Sequence, residues 1–152
     1  MNHYWPYTID SEGRFWNGDG LEFDDPETLL FFMKQLEPMV GATDHGPFIA
    51  FCQGEECRFT SEDVPYVIVG LEMSPDQITV IFPGNYREVL NPDSLFVGGQ
   101  NVLYCKVRDG KFSARFNRKT YMEIVKKIQF DPTTHSYYLP LSHNKHVIKG
   151  VI

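Results

Sequence analysis

No stretch of the chain approaches eighteen consecutive apolar residues, so nothing in the sequence reads as a membrane-spanning helix. The opening residues, MNHYWPYTID, lack the basic region and apolar run of a secretory signal. Cysteine is scarce, with three residues and no framework spacing. These absences favour a reducing compartment and give the cytoplasm as the expected location. Also absent are a nucleophile elbow, a phosphate-binding glycine loop with its Lys-Ser/Thr, a dinucleotide fingerprint and a paired-carboxylate motif. No catalytic residue and no cofactor is therefore assigned.

What the chain does have is apolar and aromatic content. Of its 152 residues 42% are hydrophobic and 14% aromatic, enough to bury a core without metal or disulfide staples. The length fits a single compact domain over 1–152. Charge is unevenly placed. Residues 1–76 hold fifteen acids against three bases, a net of −12, and residues 77–152 hold five against eleven, a net of +6. Such asymmetry points to halves that face each other or face different partners.

The local pattern alternates hairpins and helices. Apolar residues flank Asp10-Ser11-Glu12-Gly13, predicting a hairpin over Tyr7–Trp16. Asp24-Asp25-Pro26-Glu27 starts a helix carrying Leu29, Phe32, Met33 and Leu36 on one face, and Pro38 stops it. Gly41–Pro47 reads as a loop. Phe48–Cys52 and Cys57–Phe59 read as a second hairpin, Tyr66–Met73 as a buried strand paired with Gln77–Phe82, and Val102–Val107 with Lys111–Phe116 as a third hairpin. Asn117 caps a second helix, and Tyr137–Leu141 with His146–Ile152 close the chain as a fourth hairpin. The expected class is α+β, with antiparallel sheets each packed by one helix.

The order hairpin, helix, hairpin occurs twice. YTIDSEGRF at 7–15 aligns with YCKVRDGKF at 104–112, and the helix stripes and closing hairpins follow in the same order. This predicts an internal repeat, with copy one at 1–59, bridging strands at 60–100 and copy two at 101–152.

The GRFW hairpin, CRFTSEDVPYVIV and YCKVRDGKFSARFNRKTYMEIV together resemble the bacterial family called domain of unknown function 1285. YTIDSEGRFW followed by DDPETLLFFMKQL is also similar to an uncharacterised family that includes mitochondrial proteins of animals. The resemblance spans roughly 4–130. It implies an α+β fold with repeated motifs and a role in signalling, and it supplies no catalytic residues.

Among candidate sites, Cys52 and Cys57 bracket a four-residue turn and are expected to face each other across it, with hairpin packing the favoured role over a disulfide or metal pair. His143, His146 and His135 lack a carboxylate and a fourth ligand, so no metal is assigned to them. Asp44-His45 has no identifiable catalytic partner. The strongest polar signal is a basic run, Lys106, Arg108, Lys111, Arg115, Arg118 and Lys119, on the third hairpin and the start of the helix after it. Two readings stand: a solvated edge, or a surface that docks on acid. The candidate acidic surface is Asp19, Glu22, Asp24 and Asp25, in the same chain or in a second copy forming a homodimer. The expected function is a non-enzymatic module binding a protein or a small ligand. A nucleic-acid binder using the basic half and an enzyme of unrecognised type are the alternatives, the first disfavoured by the acidic balance of the whole chain.

Overall fold

A computed structural model describes residues 3–150. The N-terminal half begins with β1 (Trp5–Ile9), β2 (Phe15–Asn17) and β3 (Glu22–Phe23), followed by α1 (Pro26–Gln35) and then β4 (Glu37–Thr43), β5 (Gly46–Cys52) and β6 (Glu55–Ser61). Asp25 caps α1 by accepting from Thr28 N (3.0 Å) and Thr28 Oγ1 (2.5 Å), as an N-cap acid should. Leu29, Phe32, Met33 and Leu36 are buried, so the 3.6-residue period correctly gives the face turned to the sheet. The six strands run in the order β3-β2-β1-β6-β5-β4. β1 and β6 are parallel, with Tyr7 opposite Phe59, while all other neighbours are antiparallel. Phe32 of the helix meets Phe59 of β6 edge-on at 4.8 Å, and Tyr7, Phe15 and Phe23 close around it.

Two parts of this half differ from the pattern read in the sequence. The expected loop at Gly41–Pro47 is largely strand, because β4 runs to Thr43 and turns straight into β5. Gly and Pro there hid an irregular edge pairing whose register shifts between Pro38 and Thr43. Cys52 and Cys57 are also not opposite one another: Cys52 faces Glu55, and Cys57 faces Ala50, so the turn is two residues rather than four. All three cysteines are free thiols.

The bridge contributes β7 (Tyr66–Ile68), β8 (Gly70–Met73), β9 (Ile78–Phe82) and β10 (Tyr86–Val89). The single strand expected over Tyr66–Met73 divides at Val69. β8 pairs with β9, whereas β7 leaves to lie parallel to a strand of the other half. Between β9 and β10, Gly84 (φ 75°) brings the backbone against α1; a Cβ there would sit 2.2 Å from Leu30 N.

The remaining elements are β11 (Phe96–Val97), β12 (Leu103–Val107), β13 (Phe112–Phe116), α2 (Arg118–Ile124), β14 (Gln129–Asp131), β15 (Ser136–Leu141), β16 (Asn144–Val147) and β17 (Lys149–Gly150). Asn117 caps α2 through Thr120 N (3.0 Å), and one 3-10 turn, Val125–Lys127, extends the helix. α2 packs on β13 and β8. β17 lies parallel to β11, which is followed in the sheet by β12, β13 and β7. β16 and β17 are one chain segment joined through Ile148, whose N–H donates to Tyr137 O (2.9 Å). Following that segment across, the order β13-β12-β11-β17/β16-β15-β14 repeats β3-β2-β1-β6-β5-β4, with parallel contacts at the same place. In this correspondence Phe96–Val97 stands where β1 stands, so the two acid-Gly-base-Phe turns sit one strand apart in the order.

The fold is α+β, as expected, with three parallel pairings inside mainly antiparallel sheets. One continuous core joins the halves; Phe48 and Phe112 approach to 6.1 Å between ring centres. Among the described residues no helix is long and apolar enough to cross a membrane.

Candidate functional site

The basic run is not one surface. Arg108 lies beyond the end of β12, in a turn where Arg108, Asp109 and Gly110 all have positive φ. That left-handed path swings its side chain away from the face of Lys106 and into the N-terminal half. Its Nη1 donates to Tyr66 Oη (3.0 Å) and to the carbonyl of Leu36, the C-cap of α1. A cation at that end also complements the helix dipole. Its Nη2 pairs with Glu37 Oε1 at 3.0 Å, and Lys111 pairs with the other oxygen of the same carboxylate. The Lys111 ammonium, opposed by partial burial and aided by Arg108, holds the Glu37 carboxyl below its ordinary range. Tyr66 donates in turn to Met33 O (2.5 Å), and burial pushes its phenol up to about 12. Glu88 accepts from Arg108 N (3.2 Å) and from Tyr86 Oη (2.5 Å), and burial with that hydrogen bond raises the Tyr86 phenol strongly. A polar cleft of about 630 Å³, lined by Tyr86, Glu88, Arg108, Asp109 and Lys111, opens over this network. Because the guanidinium and carboxylates already neutralise each other, the arrangement works as a clasp between the halves.

Lys106 and Arg115 share the outer face of the β12–β13 hairpin with Tyr104 and Ser113. Lys106 Nζ donates to Ser113 Oγ (2.9 Å) and lies 5.5 Å from the centre of Phe96. Arg115 Nη1 pairs with Asp63 at 2.8 Å, and Tyr104 Oη donates to the same oxygen at 2.7 Å. Burial and that carboxylate push the Tyr104 phenol up to about 12. Arg118 and Lys119 are exposed at the start of α2, where Arg118 N reaches Glu12 Oε2 at 3.4 Å.

The acids that these cations meet are thus Glu37 and Asp63, both on the N-terminal side. Asp19, Glu22, Asp24 and Asp25 form no ion pair among the described residues, and Asp25 is the cap of α1. Glu37 and Asp63 were missed because long-range pairing leaves no local spacing to read: Glu37 is a lone acid past the helix, and Asp63 sits beside Glu62 with nothing to mark it as the one that pairs.

The other candidates resolve into structural contacts. His45 Nδ1 lies 3.0 Å from Ser61 O, and Asp44 is engaged through its carbonyl, which accepts from Ser61 Oγ (2.8 Å). His146 Nδ1 approaches Asp93 at 2.7 Å, whereas His143 sits exposed in the turn between β15 and β16. Among the described residues no group of three His, Cys, Asp or Glu is placed to hold a metal. Burial raises the Cys57 thiol to about 11 and the Cys105 thiol to about 12, which leaves both un-ionised at neutral pH and poor nucleophiles.

A second cleft, of about 480 Å³, has a different character. Met73, Pro75 and Ile78 of the β8–β9 turn face Leu139, Pro140 and Leu141 of β15, with Lys127 at the end of the helical segment. Ser142 N donates to Pro75 O (3.0 Å), which ties the two turns together at the cleft. Nothing in the linear sequence joins residues 73–78 to 139–143; only the packing of the bridge on the last hairpin does.

This architecture has solved counterparts. A DUF1285 family protein from Silicibacter pomeroyi DSS-3 superposes with a TM-score of 0.66 at 15% identity, over 94% of this chain and 78% of that one. The chain has the fold of the DUF1285 proteins. A second DUF1285 family protein, from Shewanella baltica OS155, gives 0.56 at 14% identity, over 79% of this chain and 90% of that one. No protein-family model matches the sequence, and no curated protein is similar to it in sequence. At such identities the DUF1285 fold is shared while side chains are free to differ, so the likeness carries architecture and no site.

Proposed function

We propose that this chain is a non-enzymatic binding module whose ligand seat is the apolar cleft between the β8–β9 turn and β15. The observation that carries the reading is the cleft itself. Its volume of about 480 Å³ falls within the roughly 300–1,000 Å³ typical of small-molecule sites. Buried Ile78, Leu139 and Leu141 give it an apolar floor, and Lys127, Ser74 and His143 supply polar groups at the rim. That composition suits a small ligand with an apolar body, in keeping with a role in signalling. The charged cluster at Arg108 supports the same reading from the other side. Its cations, Arg108 and Lys111, are taken up in holding the halves together, which weakens the case for an extended phosphate-tracking surface and hence for nucleic acid.

The test uses 1-anilinonaphthalene-8-sulfonate, an apolar fluorophore with an anionic group. Saturable one-site fluorescence is expected, abolished in Met73→Trp, which fills the cleft from a residue that is 38% exposed. Unsaturable binding, or binding indifferent to Met73→Trp at unchanged thermal stability, removes the proposal.

A further inference from the structure

A third cleft, of about 150 Å³, is bordered by Glu12, Asn101, Leu103, Arg115, Arg118 and Tyr121. It is separate from the apolar seat and from the Arg108 clasp. Arg115 is held here in an unusual state. Asp63 occupies Nη1 at 2.8 Å, while Nε is buried and has no hydrogen-bond partner among the described residues. Buried donors on a charged group nearly always have an acceptor, because leaving one unmade forfeits its hydration. The unpaired edge of the guanidinium is the one that carries Nε and Nη2, whose two parallel N–H bonds fit two oxygens of one oxyanion. Arg118 borders the same cleft, with its side chain exposed and in no ion pair among the described residues. Two guanidinium groups border the cleft; Asp63 engages the far edge of Arg115, and Glu12, the carboxylate that lines the cleft, directs Oε2 to the Arg118 backbone N–H.

We infer that this cleft binds a small tetrahedral oxyanion, a phosphate or the head of a phosphomonoester, through the Nε/Nη2 edge of Arg115 and the guanidinium of Arg118. Size limits the ligand. At ~30 Å³ per water the space holds about five waters, enough for a hydrated oxyanion and too little for a drug-sized molecule or a nucleotide. Glu12 opposes the anion, so binding is weak and belongs to a head group.

The direct readout is the Nε–H resonance of Arg115 in labelled protein titrated with inorganic phosphate, against sodium chloride at matched ionic strength. A saturable shift of that resonance, with the amides of Asn101 and Leu103, is expected for phosphate alone. Arg118→Ala should weaken binding about tenfold, the loss of one charge-assisted contact. Arg115→Lys keeps the charge and removes the paired donors, and should abolish binding; unchanged binding of the fluorophore at the apolar cleft shows that the fold is intact. Phosphoserine run in parallel distinguishes a phosphomonoester, which it matches or exceeds, from free phosphate, which alone then binds. A drift identical in chloride, or equal affinity in both variants, means that Nε is satisfied by water and overturns the assignment.

Discussion

Gly84→Ala tests the glycine at which an added Cβ meets its surroundings most closely. Gly84 has φ 75°, and an added Cβ would lie 2.2 Å from Leu30 N and 2.7 Å from Leu29 C, both backbone atoms of α1. Two costs combine. A non-glycine residue held in the left-handed region costs about 1–2 kcal/mol. Ordinary contact begins near 3.4 Å, so the helix or the turn must retreat by more than an ångström. Displacing a packed helix in this way is an overpacking strain of about 1–3 kcal/mol. The total, about 2–5 kcal/mol, is a large fraction of the ~5–15 kcal/mol that stabilises a typical domain. Urea unfolding followed by circular dichroism reads the loss as a lowered midpoint at constant slope. Gly54→Ala is the matched control: its φ is 78° and nothing lies within 4 Å of the added carbon. It carries the backbone cost alone. Equal destabilisation by the two substitutions would falsify the claim that α1 rests on the Gly84 turn.

Three further outcomes follow from the network and the thiols. Tyr66→Phe removes the donor to Met33 O and an acceptor of Arg108, and should cost about 1–3 kcal/mol at neutral pH in chemical denaturation. The same phenol sets an alkaline limit. Its folded value of about 12 lies above the unfolded 10.0, so its full contribution is present below pH 10. As pH rises from 10 towards 12 the unfolded state ionises first, and stability falls by up to about 2.7 kcal/mol; Tyr66→Phe should show a shallower decline, and an unchanged one refutes the assignment. With a maleimide at pH 8, half-buried Cys52 should react first, while Cys57 and Cys105 wait for unfolding; rapid loss of three thiols in the native protein would contradict their burial.

The sequence made the locally specified parts of this fold legible. Asp25 and Asn117 as caps, the Leu29–Phe32–Met33–Leu36 stripe and the hairpin turn at Gly13 all depend on neighbours a few residues away and stand as expected, whereas the turn at Gly54 is two residues long instead of four. What escaped depends on distance. The run Tyr66–Met73 looks like one strand because it opens on Tyr66-Val67-Ile68-Val69 and stays mostly apolar, yet Val69 N donates to Ile81 O while Asn117 N bonds Ile68 O, so the two ends serve different sheets. For the candidate site, Arg108, Lys111 and Arg115 were visible as cations meeting the acidic half. The acids that receive them, Glu37 and Asp63, were hidden, since one lies just past a helix end and the other between strands. The positive φ of Arg108 also separated it from Lys106, its neighbour in the basic run.

The parallel placement of β1 against β6 bears on how the chain reaches this structure. Ile9 pairs with Ser61, and Phe96 likewise pairs with Lys149, so each sheet is sealed by a strand made long after the one it adjoins. Sealing requires closing a long loop before the pairing is rewarded, which makes it a late and slow event. Until β6 arrives, β1 has a partner on one side only, and its other edge offers unpaired backbone groups to any neighbouring chain. During synthesis that interval lasts until residue 61 leaves the ribosome, and it recurs for β11 until the last hairpin emerges. These two waiting edges are where misassembly should begin, and a strand-pairing trap should capture the nascent chain there in preference to the finished protein.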